Sequence, residues 1–330
     1  MMKAIIAEKY GTPDVLRLVE MAKPAPKEGE VLVRVHAASL NAYDWHMLTA
    51  DIFLVRLMGG GLLRPKNSIP GADIAGTVEA VGRGVTQFRP GDTVYGDCAG
   101  HGNGSFAEYA TVPERALSPK PANLSFAQAA AVPMAAVTAL QGLRDVGQIR
   151  PGQKVLINGA SGGVGTFAVQ LAKFFGAEVT AVCSTRNVEQ ARRLGADHVI
   201  DYTKENFTQS GQQYDLILAA NGHHPLSAYK RALAPQGIYV MAGGTMAQIF
   251  EVMLLGGWMS RGGEKKMTNI AAKMNQADLT VLTELLEGGK VVPVIDRRYP
   301  LAETADALRY LGEGHAQGKV VITVDQNDPI

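Results

Sequence analysis

The 330-residue chain reads as an α/β protein, with a β-rich first third followed by a doubly wound parallel sheet. Three observations predict this. Residues 29–38 (GEVLVRVHAA) set apolar and polar side chains in turn, the period of a half-buried strand. From residue 154 onward, short apolar runs alternate with helical segments, which requires crossover connections and hence a parallel sheet. A glycine-rich turn, Ala160–Ser161–Gly162–Gly163–Val164–Gly165, stands between the first such run and its helix.

In the first third, residues 74–85 (IAGTVEAVGRGV) and 93–95 (TVY) repeat the strand texture between Gly and Pro turns. The texture changes near residue 124. Residues 125–143 are rich in Ala and Leu and read as helix interrupted at Pro133. Lys154–Asn158 is a short apolar strand, the glycine turn follows, and a helix runs from about Val164 to Phe175, ended by Gly176. Strands at 177–183, 199–200, 215–220 and 237–242 alternate with helices at 187–194 and 225–234. From about Val291 the chain returns to β texture, ending in Lys319–Val324. The length suits two domains better than one core, with a boundary near 123/124 and another near 290/291.

Composition narrows the function. Hydrophobic residues at 46% and charged residues at 19% fit a soluble globular chain. Thirty-two Lys and Arg against 31 Asp and Glu leave a net charge of +1, no footprint for nucleic acid. The longest apolar stretch, 125–143, carries Ser, Gln, Pro and Thr, so no membrane span is expected. Two cysteines, Cys98 and Cys183, cannot form a disulfide framework or a four-cysteine zinc lobe. The N-terminus reads directly into a strand without signal-peptide features, so a reducing, cytoplasmic setting is expected.

The glycine turn carries the chemistry. Glycines let backbone approach a pyrophosphate, and the helix start offers unpaired N–H groups and a favourable dipole. Ser161, Gly162, Gly163 and Val164 are therefore candidate cofactor contacts; a ligand-free tight turn is the plain alternative. NAD-binding folds place an acid at the end of the second strand for the ribose. Here that strand ends Cys183–Ser184–Thr185–Arg186–Asn187. Hydroxyls and a guanidinium suit a 2′-phosphate, so NADP(H) is the expected cofactor, read by Ser184, Thr185 and Arg186. A solvated helix start is the alternative for Arg186.

Several stretches together resemble one family. Gly152–Gln153, Leu156, Ala160–Gly163, Gly165, Gln170 and Lys173 fit the signature of the quinone oxidoreductase/zeta-crystallin branch of the medium-chain dehydrogenase/reductase superfamily. Asn41–Ala42–Tyr43–Asp44 resembles its N-P-x-D stretch, Pro70–Gly76 its P-G-x-D-x-x-G turn, and Gly104–Tyr109 its G-x-[FY]-A-E-Y segment. Gly318–Val321 resembles its closing strand, so the likeness covers nearly the whole chain.

The resemblance implies a GroES-like β domain from residues 1–123 and 291–330 around an inserted Rossmann domain, 124–290. It implies a homodimer. It also implies Asn41 near the nicotinamide, Thr138 at the same end, and Tyr202 near the adenosine phosphate. Asn221 and Gly243–Gly244–Thr245 fall at the ends of later strands, where ligands bind. Lys319 either reaches the cofactor or begins its strand in solvent.

Zinc members of the superfamily carry Cys at the position of Asn41 and His at that of Ala72. Neither ligand is present, and the seven histidines lack paired ligand spacing, so no metal is expected. Without zinc to polarise a carbonyl, the resemblance favours conjugate reduction of a quinone, an enone or an enal. Asn41 is then a candidate hydrogen-bond donor to the developing oxyanion, and Tyr43 and His46 are candidate proton carriers. The plain readings are a loop brace for Asn41, a cleft wall for Tyr43 and a packed ring for His46. Met246, Ile249, Phe250, Met253 and Leu254 follow helical spacing and read as core or a dimer surface, with a flexible wall of the substrate cleft as the sharper alternative. The enzyme alternative is an enoyl-thioester reductase of fatty-acid or polyketide synthesis, with Arg261, Lys265 and Lys266 as an entrance patch. The non-enzyme alternative is an NADPH-binding sensor.

Overall fold

The computed structural model describes residues 1–50, 56, 61–222, 224–244, 246–260 and 264–324. The chain divides into two compact units. One comprises Met1–Met134, Met274–Gly289 and Pro293–Ile330; the other comprises Ala135–Lys273 and Lys290–Val292. The first division thus lies about ten residues beyond the 123/124 boundary read from composition.

The first unit begins with β1 (Met2–Ala7) and β2 (Leu16–Met21), paired antiparallel. β3 (Glu30–Leu40), β4 (Asp73–Val81), β5 (Thr93–Asp97), β6 (Tyr109–Pro113) and β7 (Leu117–Pro119) follow. Helix α1 (Ala42–Thr49) leaves the end of β3, and α2 (Phe126–Ala130) is capped by Ser125, whose hydroxyl accepts from the Gln128 amide. The sequence alternation in 29–38 gives a strand, but its inward and outward faces are not cleanly separated. Val31, Leu32 and Val33 are all buried, because β3 is interior and pairs with β4 and β6.

Helix α3 (Pro133–Gln141) starts at the proline that interrupts the Ala-rich segment. Proline is accepted at the first helical turn, where its missing N–H is not needed. The second unit then runs β8 (Lys154–Asn158), α4 (Gly163–Phe174), β9 (Glu178–Cys183), α5 (Val188–Arg193), β10 (His198–Asp201) and β11 (Tyr214–Ala219). It continues with α6 (Leu226–Ala232), β12 (Leu233–Met241), α7 (Met246–Met259) and β13 (Lys266–Asn269). These six strands form one parallel sheet in the order β10-β9-β8-β11-β12-β13. Numbered within the unit this is 3-2-1-4-5-6, the dinucleotide-binding order, whose strand sequence reverses beside its first strand. Val155, Leu156 and Ile157 are fully buried, as befits a strand covered on both faces.

Three elements differ from the sequence reading. Helix α8 (Gln276–Glu287) lies in the span assigned to the Rossmann domain, yet it belongs to the first unit. The Tyr95 hydroxyl donates to the Leu279 carbonyl at 3.0 Å, and the Gln276 amide donates to the carbonyls of Glu114 and Leu117. The β-like tail contains a helix, α9 (Thr304–Gly312), between β14 (Ile295–Pro300) and β15 (Lys319–Thr323). α9 buries Ala307 and Leu308 in a cluster with Ile5, Leu40 and Phe106. In α7, Met253 and Leu254 are exposed rather than core, while Val252 faces inward; the side chains of Met246, Ile249 and Phe250 lie outside the described residues. Among the described residues no helix is long and apolar enough to cross a membrane.

Candidate functional site

In the second unit the turn after β8 is built by glycine. A Cβ on Gly165 would stand 2.0 Å from the Gly159 carbonyl oxygen, so helix and strand can meet this closely only without one. Gly162 is the residue before α4 in extended conformation, and a Cβ there would meet only the Gly159 oxygen, at 3.7 Å. The helix start is therefore open, and no side chain caps it. This is a fit for a pyrophosphate: open space and a twelve-residue helix presenting its first amides.

The other candidates of this unit fall at neighbouring strand ends. Ser184, Thr185 and Arg186 form a single turn directly after β9, and Tyr202 follows β10 with its ring exposed. Asn221 follows β11, and Gly243–Gly244 follows β12. The turn after β9 is not free of acid, as its own sequence implied. Asp201, the last residue of β10, pairs in register with Cys183, and its carboxylate accepts the Thr185 hydroxyl at 2.5 Å. The Thr185 hydroxyl is thus donated within the protein, while Arg186 is exposed at the turn. Thr138 is buried in α3. Thr245 lies outside the described residues, as does Arg261; Lys265 donates to the Lys230 carbonyl at 3.0 Å.

In the first unit, Asn41 sits where β3 gives way to α1 and is buried. Its side-chain nitrogen donates to Asp73 Oδ2 at 2.9 Å, and its side-chain oxygen accepts from Lys319 Nζ. Lys319 also pairs with Asp73 at 3.1 Å, both being at most 2% exposed. Asp73 further accepts from the Ser39 hydroxyl at 2.7 Å and the Met134 amide at 2.9 Å. Lys319 is therefore neither a solvated strand start nor, in this unit, a free ammonium: its strand begins buried. Gly318 delivers it with a φ of +143°, and a Cβ there would stand 2.5 Å from the Val294 oxygen.

Two more carboxyls border this cluster. Asp44 accepts the backbone N–H of Asn41 at 2.8 Å, and burial pushes its carboxyl up to about 7. Asp97 stands across from Asp73 in the β4–β5 register; burial, then the Asp73 charge, raises it to about 8. The Tyr43 hydroxyl donates to Asn103 at 3.3 Å, and burial raises its phenol, which stays protonated. Sequence reasoning quoted Asp44 and Asp73 in motifs but gave them no role, and missed Asp97 and Asp201. An acid heading a run of small and apolar residues, as Asp73 heads Ile74–Gly76, was the available signal.

Comparison with known proteins places this arrangement. The description "alcohol dehydrogenase GroES-like domain" matches residues 27–122, and "zinc-binding dehydrogenase" matches 194–322. A chloroplastic quinone oxidoreductase of Triphysaria versicolor is 33% identical over 333 residues, 98% of each chain. The quinone oxidoreductase of Coxiella burnetii, a solved structure, is 30% identical, with a TM-score of 0.88 over 98% of this chain and 99% of that one. The chain belongs to the quinone oxidoreductase/zeta-crystallin-like branch of the medium-chain dehydrogenase/reductase superfamily. An NADPH-dependent alkenal/one oxidoreductase of Arabidopsis thaliana is 35% identical over 332 residues, 97% of this chain and 79% of that protein.

As a member of this superfamily the chain is an oxidoreductase with a dinucleotide site. At the two positions where zinc members carry ligands it presents an amide held by Lys319 and Asp73, and the fully buried methyl of Ala72. Among the described residues, no group of three or more His, Cys, Asp or Glu side chains is arranged to hold a metal ion.

Proposed function

We propose that this chain is an NADPH-dependent reductase that transfers a hydride to a quinone or an α,β-unsaturated carbonyl without zinc. The observation that carries the reading is the donor set around Asn41. An amide and an ammonium, tied to a carboxylate, occupy the place of a thiolate ligand, and they suit hydrogen bonding to an oxyanion rather than Lewis-acid polarisation. The names of the relatives, a quinone oxidoreductase and an alkenal/one oxidoreductase, point to the same substrate class.

The dinucleotide would be held by Ser161, Gly162, Gly163 and Val164 at the helix start, with Ser184, Arg186 and Tyr202 at its adenosine end. Thr138, Asn221, Gly243, Gly244 and Thr245 are assigned to its remaining contacts. The chemistry supplied there is hydride donation to an electron-poor carbon. Negative charge then collects on the substrate oxygen and requires a donor. Lys319 holds the Asn41 amide oxygen, so the nitrogen is the end that faces away from the ammonium. One of its two N–H groups goes to Asp73, leaving the other for the substrate. Lys319 thus acts through Asn41. Tyr43, protonated and joined to Asn103 by a long hydrogen bond, is the proposed proton carrier.

Oxidation of NADPH and NADH with 9,10-phenanthrenequinone, an alkenal and an enoyl-thioester tests the reading. Turnover of the first two with NADPH is expected. Thioester reduction alone would make it an enoyl-thioester reductase, and cofactor binding without turnover a sensor. Asn41→Ala and Tyr43→Phe are each expected to lower kcat by about 10²-fold; wild-type turnover in both removes them from the mechanism. A homodimer, checked by native mass, and a reducing cytoplasmic setting that suits the buried thiols of Cys98 and Cys183 complete the proposal.

A further inference from the structure

We infer that Asp201 is a positioning residue that sets the preference for a 2′-phosphorylated cofactor, by clamping the turn after β9 while being itself withheld from the ribose. The inference rests on the NADPH reading above.

Asp201 reaches the turn from the adjacent strand: its register partner is Cys183, and the Tyr202 amide donates to the Cys183 carbonyl at 3.0 Å. In NAD-binding folds a carboxylate in this neighbourhood accepts the ribose hydroxyls. This one is fully subscribed. Oδ2 accepts the Thr185 hydroxyl at 2.5 Å and lies 3.1 Å from Lys204 Nζ. Oδ1 accepts the Thr203 amide at 3.0 Å and the Thr203 hydroxyl at 2.7 Å. A carboxylate offers about four lone-pair sites, so none remains for a ribose diol. The Thr185 hydrogen bond, followed by the Thr203 donors, holds the carboxyl below its usual range, so the clamp keeps its charge.

The same bonds shape the reader. Thr185 is pinned to β10, and the turn is closed internally by the Asn187 amide on the Ser184 carbonyl at 2.9 Å. Asn187 Nδ2 also donates to the Ser184 hydroxyl oxygen at 3.2 Å. Ser184 and Arg186 are therefore presented on a fixed frame. Lys204, beside the carboxylate, offsets a charge that would otherwise repel a phosphate.

The test uses the full chain and two probes that report the adenosine end directly, adenosine 2′,5′-bisphosphate and 5′-AMP, with Kd measured by calorimetry. Wild type is expected to prefer the bisphosphate. Thr185→Val and Asp201→Asn are each expected to reduce that preference by about tenfold. Thr185→Ser, which keeps the hydroxyl, should retain it within about twofold. In turnover the loss should appear in the KM for NADPH with kcat unchanged. Undiminished preference in folded Thr185→Val overturns the inference and leaves the NADPH reading standing. Absence of preference in wild type overturns both. Thr185→Val lies at an exposed turn, so it serves even if Asp201→Asn does not fold.

Discussion

Two aspartate–lysine pairs in this chain have the same N···O distance, 3.1 Å, and opposite surroundings. Lys319 and Asp73 are buried in the first unit, at 2% and 0% exposure. Lys204 is two-thirds exposed above the buried Asp201 of the second unit. Distance alone would make them equivalent. Desolvation separates them: removing one partner of a buried pair strands a charge without water, while an exposed ammonium is already solvated. Loss of a partner is therefore expected to cost the first pair's region more stability than the second's.

The largest predicted effect breaks the buried pair. Lys319→Met leaves the Asp73 charge, at 0% exposure, with no cation and only the neutral donors Ser39, Asn41 and the Met134 amide among the described residues, and a loss of about 3–5 kcal/mol in unfolding free energy is expected by denaturant titration. Lys319→Met combined with Asp73→Asn should recover a large part of that loss, because the stranded charge is gone while an acceptor for the Ser39, Asn41 and Met134 donors is kept. Equal destabilisation in the single and double variants would mean that packing, not charge, dominates the site.

The two regions also differed in how far they could be read from sequence. The glycine turn was legible because its logic is local: strand, turn and helix are contiguous, and the helix from Val164 to Phe175 came out within a residue of the observed Gly163–Phe174. The Asn41–Lys319 contact joins residues 278 apart, so neither position alone announces it. Asp201 escaped for a related reason. A rule that looks for an acid at the end of the second strand cannot see one supplied by the third, which only parallel pairing brings alongside. Helix α9 was hidden inside a β-rich tail because it is only nine residues long and lies between two strands, β14 and β15, although Ala307, Leu308 and Leu311 follow helical spacing.

A pH series sharpens the comparison next. Burial holds Asp44 at about 7 and Asp97 at about 8, both above the ordinary carboxylate value. The folded state therefore binds more protons than the unfolded chain between about pH 4 and 8, so stability falls as pH rises through that window and levels off above it. Asp97→Asn keeps an acceptor for the Ala99 amide but removes one titration. Its Tm is expected to fall less than wild type's between pH 5 and pH 9. Parallel curves would show that Asp97 is solvated enough to ionise without cost. No comparable rise is expected from Asp201, which is held ionised by Thr185 and Thr203.

The smallest predicted effect is at the exposed pair. Lys204→Met removes a charge at the same 3.1 Å distance as in the buried pair, but from an ammonium that is 68% exposed rather than 2%. Asp201 keeps Thr185 and both Thr203 donors, so its carboxylate is not stranded. A Tm within about 2 °C of wild type is expected by calorimetry, with little response to added salt. A loss approaching that of Lys319→Met would mean that Lys204 is part of the clamp in the folding sense, and that burial of one partner alone suffices to make such a pair obligatory.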